Sequence, residues 1–318
     1  MAEESKGAVV AAMGANAVIA AGKLVAGLLT GSAALLAESG HSIADTVNQV
    51  FLLIGISRSE AVPDEKHPMG YGKEAFFWSF LAAIFIFVAG AAFSIYEGTR
   101  TLVQDETHDR SGSDLLVAFG VLGFAIVFES ISFTVAVRGL LAGARRKAWT
   151  LARYLRESPD TTLKTVLFED SAALVGLVLA AGGLALSEVT GNENWDGIAS
   201  LAIGVVLAAV ALLLGNQARS LLLGTAANSE TQDHIRETLR SFEEVEKVIR
   251  VLTMQLGSHS VLVMGEIMVR RGLTTDAIED LLGRIDAEIE RRVPEVSDTF
   301  WELKRVGTAK PRRARHGA

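Results

Sequence analysis

Six times between residues 9 and 214 the chain runs through a long apolar stretch with few charges, each close to the ~20 residues that a helix needs to cross a bilayer. The runs predict spans over Val9–Thr30, Ala33–Ile56, Ala75–Tyr96, Leu115–Val137, Thr165–Leu186 and Ile198–Leu214. From Asn228 onward the pattern changes. Charged residues become frequent, and short segments alternate with period 2 or recur with the helical period, as in a small soluble domain. Helices over Thr231–Arg240 and Thr275–Arg292 are predicted there, with strands over Val248–Gln255, Val261–Val269 and Thr299–Val306. Gly257-Ser258 supplies a turn between the first two strands, and Thr275-Asp276 with Glu279 fits a helix start. The expected architecture is an α-helical membrane protein, with a six-transmembrane-helix bundle over 1–224, a small α+β ferredoxin-like domain over 225–306 and a basic flexible tail over 307–318.

Composition agrees with that pattern and narrows the chemistry. Half of the 318 residues are hydrophobic and only 21% are charged, a balance that fits a membrane-embedded chain better than two soluble domains. The link between the fourth and fifth spans carries Arg138, Arg145, Arg146, Lys147, Arg153, Arg156 and Lys164, which places it on the cytoplasmic side. By alternation the Arg58–Lys73 link, both termini and the α+β domain are expected in the cytoplasm, and the acidic Asp105–Asp114 and Glu188–Asp196 links outside. The acidic pair Glu3–Glu4 and the length of the first apolar run argue against a cleaved leader, so the first helix is expected to stay. A net charge of −7 argues against nucleic acid as a partner, and the short basic run Lys310–Arg315 reads as a solvated local feature. The chain has no cysteine, which excludes disulfides and thiolate metal sites; a metal would be held by His, Asp, Glu or backbone oxygen.

Ionisable residues inside spans cost roughly 2.5–3.5 kcal/mol each on insertion scales, so each one needs a reason. His41 and Asp45 in the second span are four apart, which stacks an imidazole and a carboxylate on one helix face, with Glu38 near the same line. Glu169 and Asp170 open the apolar run of the fifth span, and Glu129 lies in the middle of the fourth, followed by Ser130 and Ser132. An interhelical hydrogen-bonded pair is the plainer reading of His41 and Asp45. Ligation is favoured because the fifth-span carboxylates add negative charge that a cation would neutralise. Glu169 and Asp170 diverge by about 100° on a helix, so Glu169 is as compatible with water as with the cavity. Glu129 reads equally as a proton carrier, an outer ligand or a bundle hydrogen bond. Asn16, Lys23 and Asn48 read as packing or snorkelling residues, and Asp196 beside Trp195 as a solvated acid at the outer interface. His67 reads as a surface histidine ahead of a loop metal site, His234 and His259 read as surface histidines, and His108 among the external acids stays ambiguous.

The run Gly31-Ser32-Ala33-Ala34-Leu35-Leu36-Ala37-Glu38-Ser39-Gly40-His41-Ser42-Ile43-Ala44-Asp45, preceded by Lys23 and followed by His67-Pro68-Met69-Gly70-Tyr71-Gly72-Lys73-Glu74, resembles the cation diffusion facilitator family. The likeness extends through Tyr96-Glu97-Gly98 and Trp195-Asp196-Gly197-Ile198-Ala199-Ser200 into the tail domain. It implies divalent metal transport, zinc efflux above all, by metal/proton antiport with alternating access in a homodimer. It also implies a site of two H/D-x-x-x-D pairs on the second and fifth spans. His41 and Asp45 match the first pair. Asp170 matches the end of the second, but the position four residues earlier is Val166. That departure, with Leu167-Phe168-Glu169-Asp170-Ser171-Ala172-Ala173, is similar to the branch of the ninth animal zinc transporter, and it leaves Glu169, Glu129 or water as the compensating ligand. One nitrogen with two or three carboxylates suits Zn2+ and also accepts Mn2+, Fe2+ or Co2+. A bacterial plasma membrane is the expected setting, and the chain is not expected to be an enzyme. A proton-coupled carrier of a small organic solute is the competing reading. An intramembrane metal hydrolase is disfavoured because no helix-borne H-E-x-x-H appears.

Overall fold

The computed structural model describes residues 2–104, 111–146, 148–157, 161–258 and 260–304. His108, Lys147, His259 and the expected tail over 307–318 lie outside them. The chain divides into two compact units, Met1–Ala61 with Glu74–Arg219, and Val62–Lys73 with Ser220 onward.

The first unit is helical. Helices α1 (Ala2–Thr30) and α2 (Ala33–Ser59) are joined at Gly31, whose φ of 64° closes α1 in the left-handed conformation that glycine adopts without a Cβ clash. The third long helix is built from α3 (Glu74–Phe85), a π-helical stretch over Ile86–Ala92 and α4 (Phe93–Val103). Then come α5 (Gly112–Arg146), a short α6 (Leu151–Glu157), α7 (Thr161–Thr190) and α8 (Asn194–Leu223). Among the described residues four helices are long and apolar enough to cross a membrane, namely Glu74–Val103, Gly112–Arg146, Thr165–Thr190 and Asn194–Leu223. The other two expected spans are helical, but Lys23 in α1 and Glu38, His41, Asp45, Asn48 and Gln49 in α2 lower their hydropathy. The residues that break the apolar pattern are the ones that carry candidate chemistry.

Small residues bring the helices close. Ser94 on α4 accepts a 2.8 Å hydrogen bond at its backbone oxygen from the Ser200 hydroxyl of α8. A Cβ added at Gly98 would meet the Gly197 carbonyl at 2.7 Å and the Leu201 nitrogen at 2.8 Å, and one at Gly204 would meet the Ala91 carbonyl at 3.1 Å. Small residues four apart let backbones touch where lipid offers no hydrophobic drive for helix association. The π-helical stretch lies in this seam and also faces α2, since a Cβ on Gly40 would meet the Ala89 carbonyl at 2.9 Å. Nothing in the apolar run Ala75–Tyr96 distinguishes a π-helical turn from an α-helical one.

Asp196 corrects the expectation of a solvated interfacial acid. It is fully buried near the start of α8, where the Ser32 hydroxyl donates to one carboxylate oxygen at 2.6 Å and the Ala34 amide approaches the other at 3.4 Å. Ser32 is also the N-cap of α2, accepting from the Leu35 amide at 3.2 Å. A carboxylate set at the positive end of α2 is favourably placed and ties that helix to α8.

The second unit has the order α9 (Ser229–Ser241), β1 (Val245–Gly257), β2 (Ser260–Val269), α10 (Thr275–Arg292) and β3 (Val296–Leu303). β1 and β2 pair antiparallel, β2 and β3 parallel, and the strand order is β1-β2-β3. This αββαβ arrangement has one strand fewer than a full βαββαβ unit. Its third strand starts three residues before the expected Thr299, and α10 is capped by Thr274, whose hydroxyl accepts from the Ala277 amide. Val261, Val263 and Ile267 point from β2 onto Ile235 and Leu239 of α9 and Leu281, Ile285 and Ile289 of α10. The segment 62–73 is closed by Asp64, which accepts from the Lys66 and His67 amides at 2.9 and 2.7 Å and from the Tyr71 hydroxyl at 2.7 Å, holding its carboxyl below the usual range. His67 lies on Tyr71 with ring centroids 4.2 Å apart and is half exposed, consistent with a surface role.

Gly98→Ala forces the backbones of α4 and α8 apart and is expected to cost about 1–3 kcal/mol. Thermal unfolding in detergent micelles checks this, with Gly182→Ala on α7, where an added Cβ meets nothing within 4 Å, leaving the midpoint unchanged or raised.

Candidate metal centre

Helix α2 presents Glu38, His41, Asp45, Asn48 and Gln49 at spacings of three and four, so they form a row along one face that rises about 16 Å. The face looks inward because α2 packs against α1, α7 and the third long helix. His41 is 1% exposed and neither ring nitrogen has a hydrogen-bond partner. Its Nε2 lies 3.5 Å from Asp45 Oδ2, close enough for electrostatic contact and too long for a good hydrogen bond. Asp45 Oδ1, Gln49 Oε1 and Glu38 Oε1 are likewise buried and without a partner. Buried polar atoms are almost always paired in folded proteins, so four residues on one helix face with unpartnered donors or acceptors are a notable exception.

The fifth-span acids separate as adjacent helix positions must. Glu169 turns to α2 and accepts from Asn48 Nδ2 at 2.5 Å. Asp170 turns to α5 and accepts from the Ser132 hydroxyl at 2.8 Å. Glu129, one turn before Ser132 on α5, is 8% exposed. These groups act on one another: Asp45 lies within coulombic reach of Glu169, Glu129, Lys23 and Glu38, and Glu129 within reach of Lys23, Asp170 and Glu38. The five candidate ligands lie on three neighbouring helices, α2, α5 and α7. Among the described residues no three His, Asp or Glu side chains are grouped closely enough to hold a metal ion between them. The ready-made elements are the His41/Asp45 pair and the hydrogen-bonded acids of α7. Val166, at the position where a second His or Asp would complete the pair on α7, offers no donor atom.

Sequence reasoning missed Lys23. It does not snorkel. Its side chain is fully buried, and Nζ donates to Glu38 Oε2 at 2.9 Å and to the Ser42 hydroxyl at 2.8 Å. Asn48, read as packing, orients Glu169. Gly176 on α7 was also unremarked; a Cβ there would overlap Glu38 Oε1, so only glycine leaves room for that carboxylate. The signal was present in the pairing of a lone lysine with a lone glutamate in neighbouring spans. A single sequence does not show that their heights match.

Gly176→Ala is expected to push Glu38 off Lys23 and to lower the thermal-unfolding midpoint by several degrees, corresponding to about 1–3 kcal/mol. Gly182→Ala on the same helix is the control, and equal midpoints for the two variants would contradict the packing described.

A family model described as the cation efflux transmembrane domain matches residues 9–223. The chain is 32% identical over 284 residues to the human proton-coupled zinc antiporter SLC30A9, mitochondrial, a match that covers 87% of this chain and 49% of that protein. It is 31% identical over 265 residues to metal tolerance protein C4 of Arabidopsis thaliana, covering 83% and 57%. It is 20% identical over 292 residues to the manganese efflux system protein MneP of Bacillus subtilis, covering 90% and 91%. The chain spans about half the length of the zinc antiporters it matches.

Proposed function

Since the chain belongs to the cation efflux family, we propose that it carries a divalent metal ion, zinc first, out across a membrane in exchange for protons. The observation that carries this reading is the row of buried, unpartnered donors on α2, centred on His41 and Asp45. Asp170 is the third ligand in this reading. Glu169 and Glu129 supply the negative charge, and one of them the donor, that Val166 does not. The relatives at 32% and 20% identity, a zinc antiporter and a manganese efflux protein, support a divalent substrate and leave Mn2+, Fe2+ and Co2+ as further cargo.

Proton coupling follows from ligand chemistry. A carboxylate or imidazole must be deprotonated to bind metal, so loading releases protons and reprotonation from the opposite side expels the ion. A histidine among carboxylates is suited to this because its ordinary titration range lies near neutrality. Alternating access requires α2 to present its donors to each side in turn. In the same reading α1 and α2 complete a six-span bundle over 1–224. The arginine-rich segment between α5 and α7, both termini and the domain over 225–306 lie in the cytoplasm, and two copies form a homodimer.

Zinc uptake into proteoliposomes under an imposed pH gradient tests the proposal. Flux is expected to follow the gradient, and Asp45→Asn and Asp170→Asn are each expected to lower its initial rate roughly 100-fold or more, since even residues that only support a metal ligand are worth about 10- to 100-fold. Unchanged flux in either variant overturns the assigned ligands. Absence of flux for zinc, manganese, iron and cobalt alike overturns the metal reading in favour of an organic solute.

A further inference from the structure

The Lys23–Glu38 pair lies inside the bundle beside the proposed metal donors, yet neither residue belongs to them. A buried pair of this kind is weak evidence for stability, because desolvating both charges costs about as much as their attraction returns. Its position is more informative. An ammonium has three N–H donors, and Lys23 directs two of them to Glu38 and Ser42, the latter next to His41. Lys23 is the basic side chain that acts electrostatically on His41, Asp45 and Glu129 together. Asp45 Oδ1, one turn further along the same helix face, is buried and unpartnered, although a lysine stem is long and flexible enough to serve it. Glu38 holds Nζ through its Oε2, and its Oε1 is seated over the glycine gap at position 176 of α7.

We propose that Lys23 is a tethered counter-charge that limits how tightly the His41/Asp45 donors hold a divalent cation, and that Glu38 is the positioning residue that parks it beside those donors instead of on them. This inference rests on the metal-transport reading. The four carboxylates Asp45, Glu129, Glu169 and Asp170 with His41 would bind a doubly charged ion strongly in a low-dielectric bundle and release it slowly. A fixed positive charge held on Ser42, the residue next to His41, weakens the bound state and speeds release. Parked on Glu38 it has that effect without competing for Asp45. Freed from Glu38 it would pair with Asp45 itself and become an internal competitor of the metal.

The two partners of one ion pair should therefore have opposite effects on affinity. In zinc titration of the purified full chain in detergent by calorimetry, Lys23→Met is expected to lower the zinc Kd roughly 10-fold or more, as removing a unit charge within several ångströms of a divalent ion predicts at an effective protein dielectric near 20. In proteoliposomes it should lower both KM and kcat, because tighter binding slows release. Glu38→Gln should raise Kd and KM by a similar factor. The double variant Lys23→Met with Glu38→Gln leaves no unpaired buried charge and should bind zinc more tightly than the unaltered chain but less tightly than Lys23→Met, which also leaves the Glu38 carboxylate unneutralised. If either single variant fails to fold, the double variant alone decides: a Kd below that of the unaltered chain supports the inference, and one equal to it or above overturns it. A shift of the two single variants in the same direction also overturns it and leaves the pair as packing. If the unaltered chain binds none of zinc, manganese, iron or cobalt, the transport reading falls and this inference with it.

Discussion

Around the polar row of α2, the carboxylates of Glu38, Asp45, Glu129, Glu169 and Asp170 and the Lys23 ammonium share the interior of a helical bundle in which unneutralised charge is costly. Glu38 has Lys23, Asp170 has a serine hydroxyl, Glu169 has an asparagine amide, and Asp45 and Glu129 have no ammonium of their own. The remaining negative charge can be balanced only by protons or by a cation from outside. Everything proposed about function follows from that imbalance. A bundle whose charges cancelled internally would have no reason to exchange one kind of cation for another, whereas in the proposed reading this one is neutralised by protons or by a metal ion in turn.

The helices that frame this charge are held by backbone proximity. Glycine and serine on α4 and α8 bring the two within touching distance, and Asp196 with Ser32 ties the start of α2 to the start of α8. Helix α2 is thus shared. One side of it contributes to the apolar packing with the third long helix and α8, and the other carries the polar row toward α1 and α7. A helix that is firmly seated at its N-terminus by a buried carboxylate, and that carries unpartnered polar atoms along its middle, is suited to change partners in its middle without losing its place in the fold.

Much of this was legible in the sequence. Apolar run length marks helices in lipid because nothing else satisfies the backbone there, which is why the expected spans sit within the observed helices. Alternation in Val261–Val269 and the helical period of Thr275–Arg292 identified β2 and α10 for the same kind of reason, one face meeting a core. His41 and Asp45 were legible because their spacing alone puts them on one face. Lys23, Gly176 and Asp196 were not, because their roles depend on which residue of a neighbouring helix stands at the same height. The π-helical stretch near Gly40 was invisible for a related reason: it depends on packing between segments distant in sequence. The divergence of Glu169 and Asp170 was expected from helix geometry, but their separate partners, Asn48 and Ser132, depend on interhelical register.

In the proposed function, protons and a divalent cation neutralise the same buried carboxylates in turn. Proton release on adding zinc to the purified protein in weakly buffered detergent, followed with a pH indicator, tests it most directly. Release of about one to two protons per zinc bound, lost in Asp45→Asn, is the result this account predicts. Zinc binding at unchanged affinity with no release of protons would contradict it.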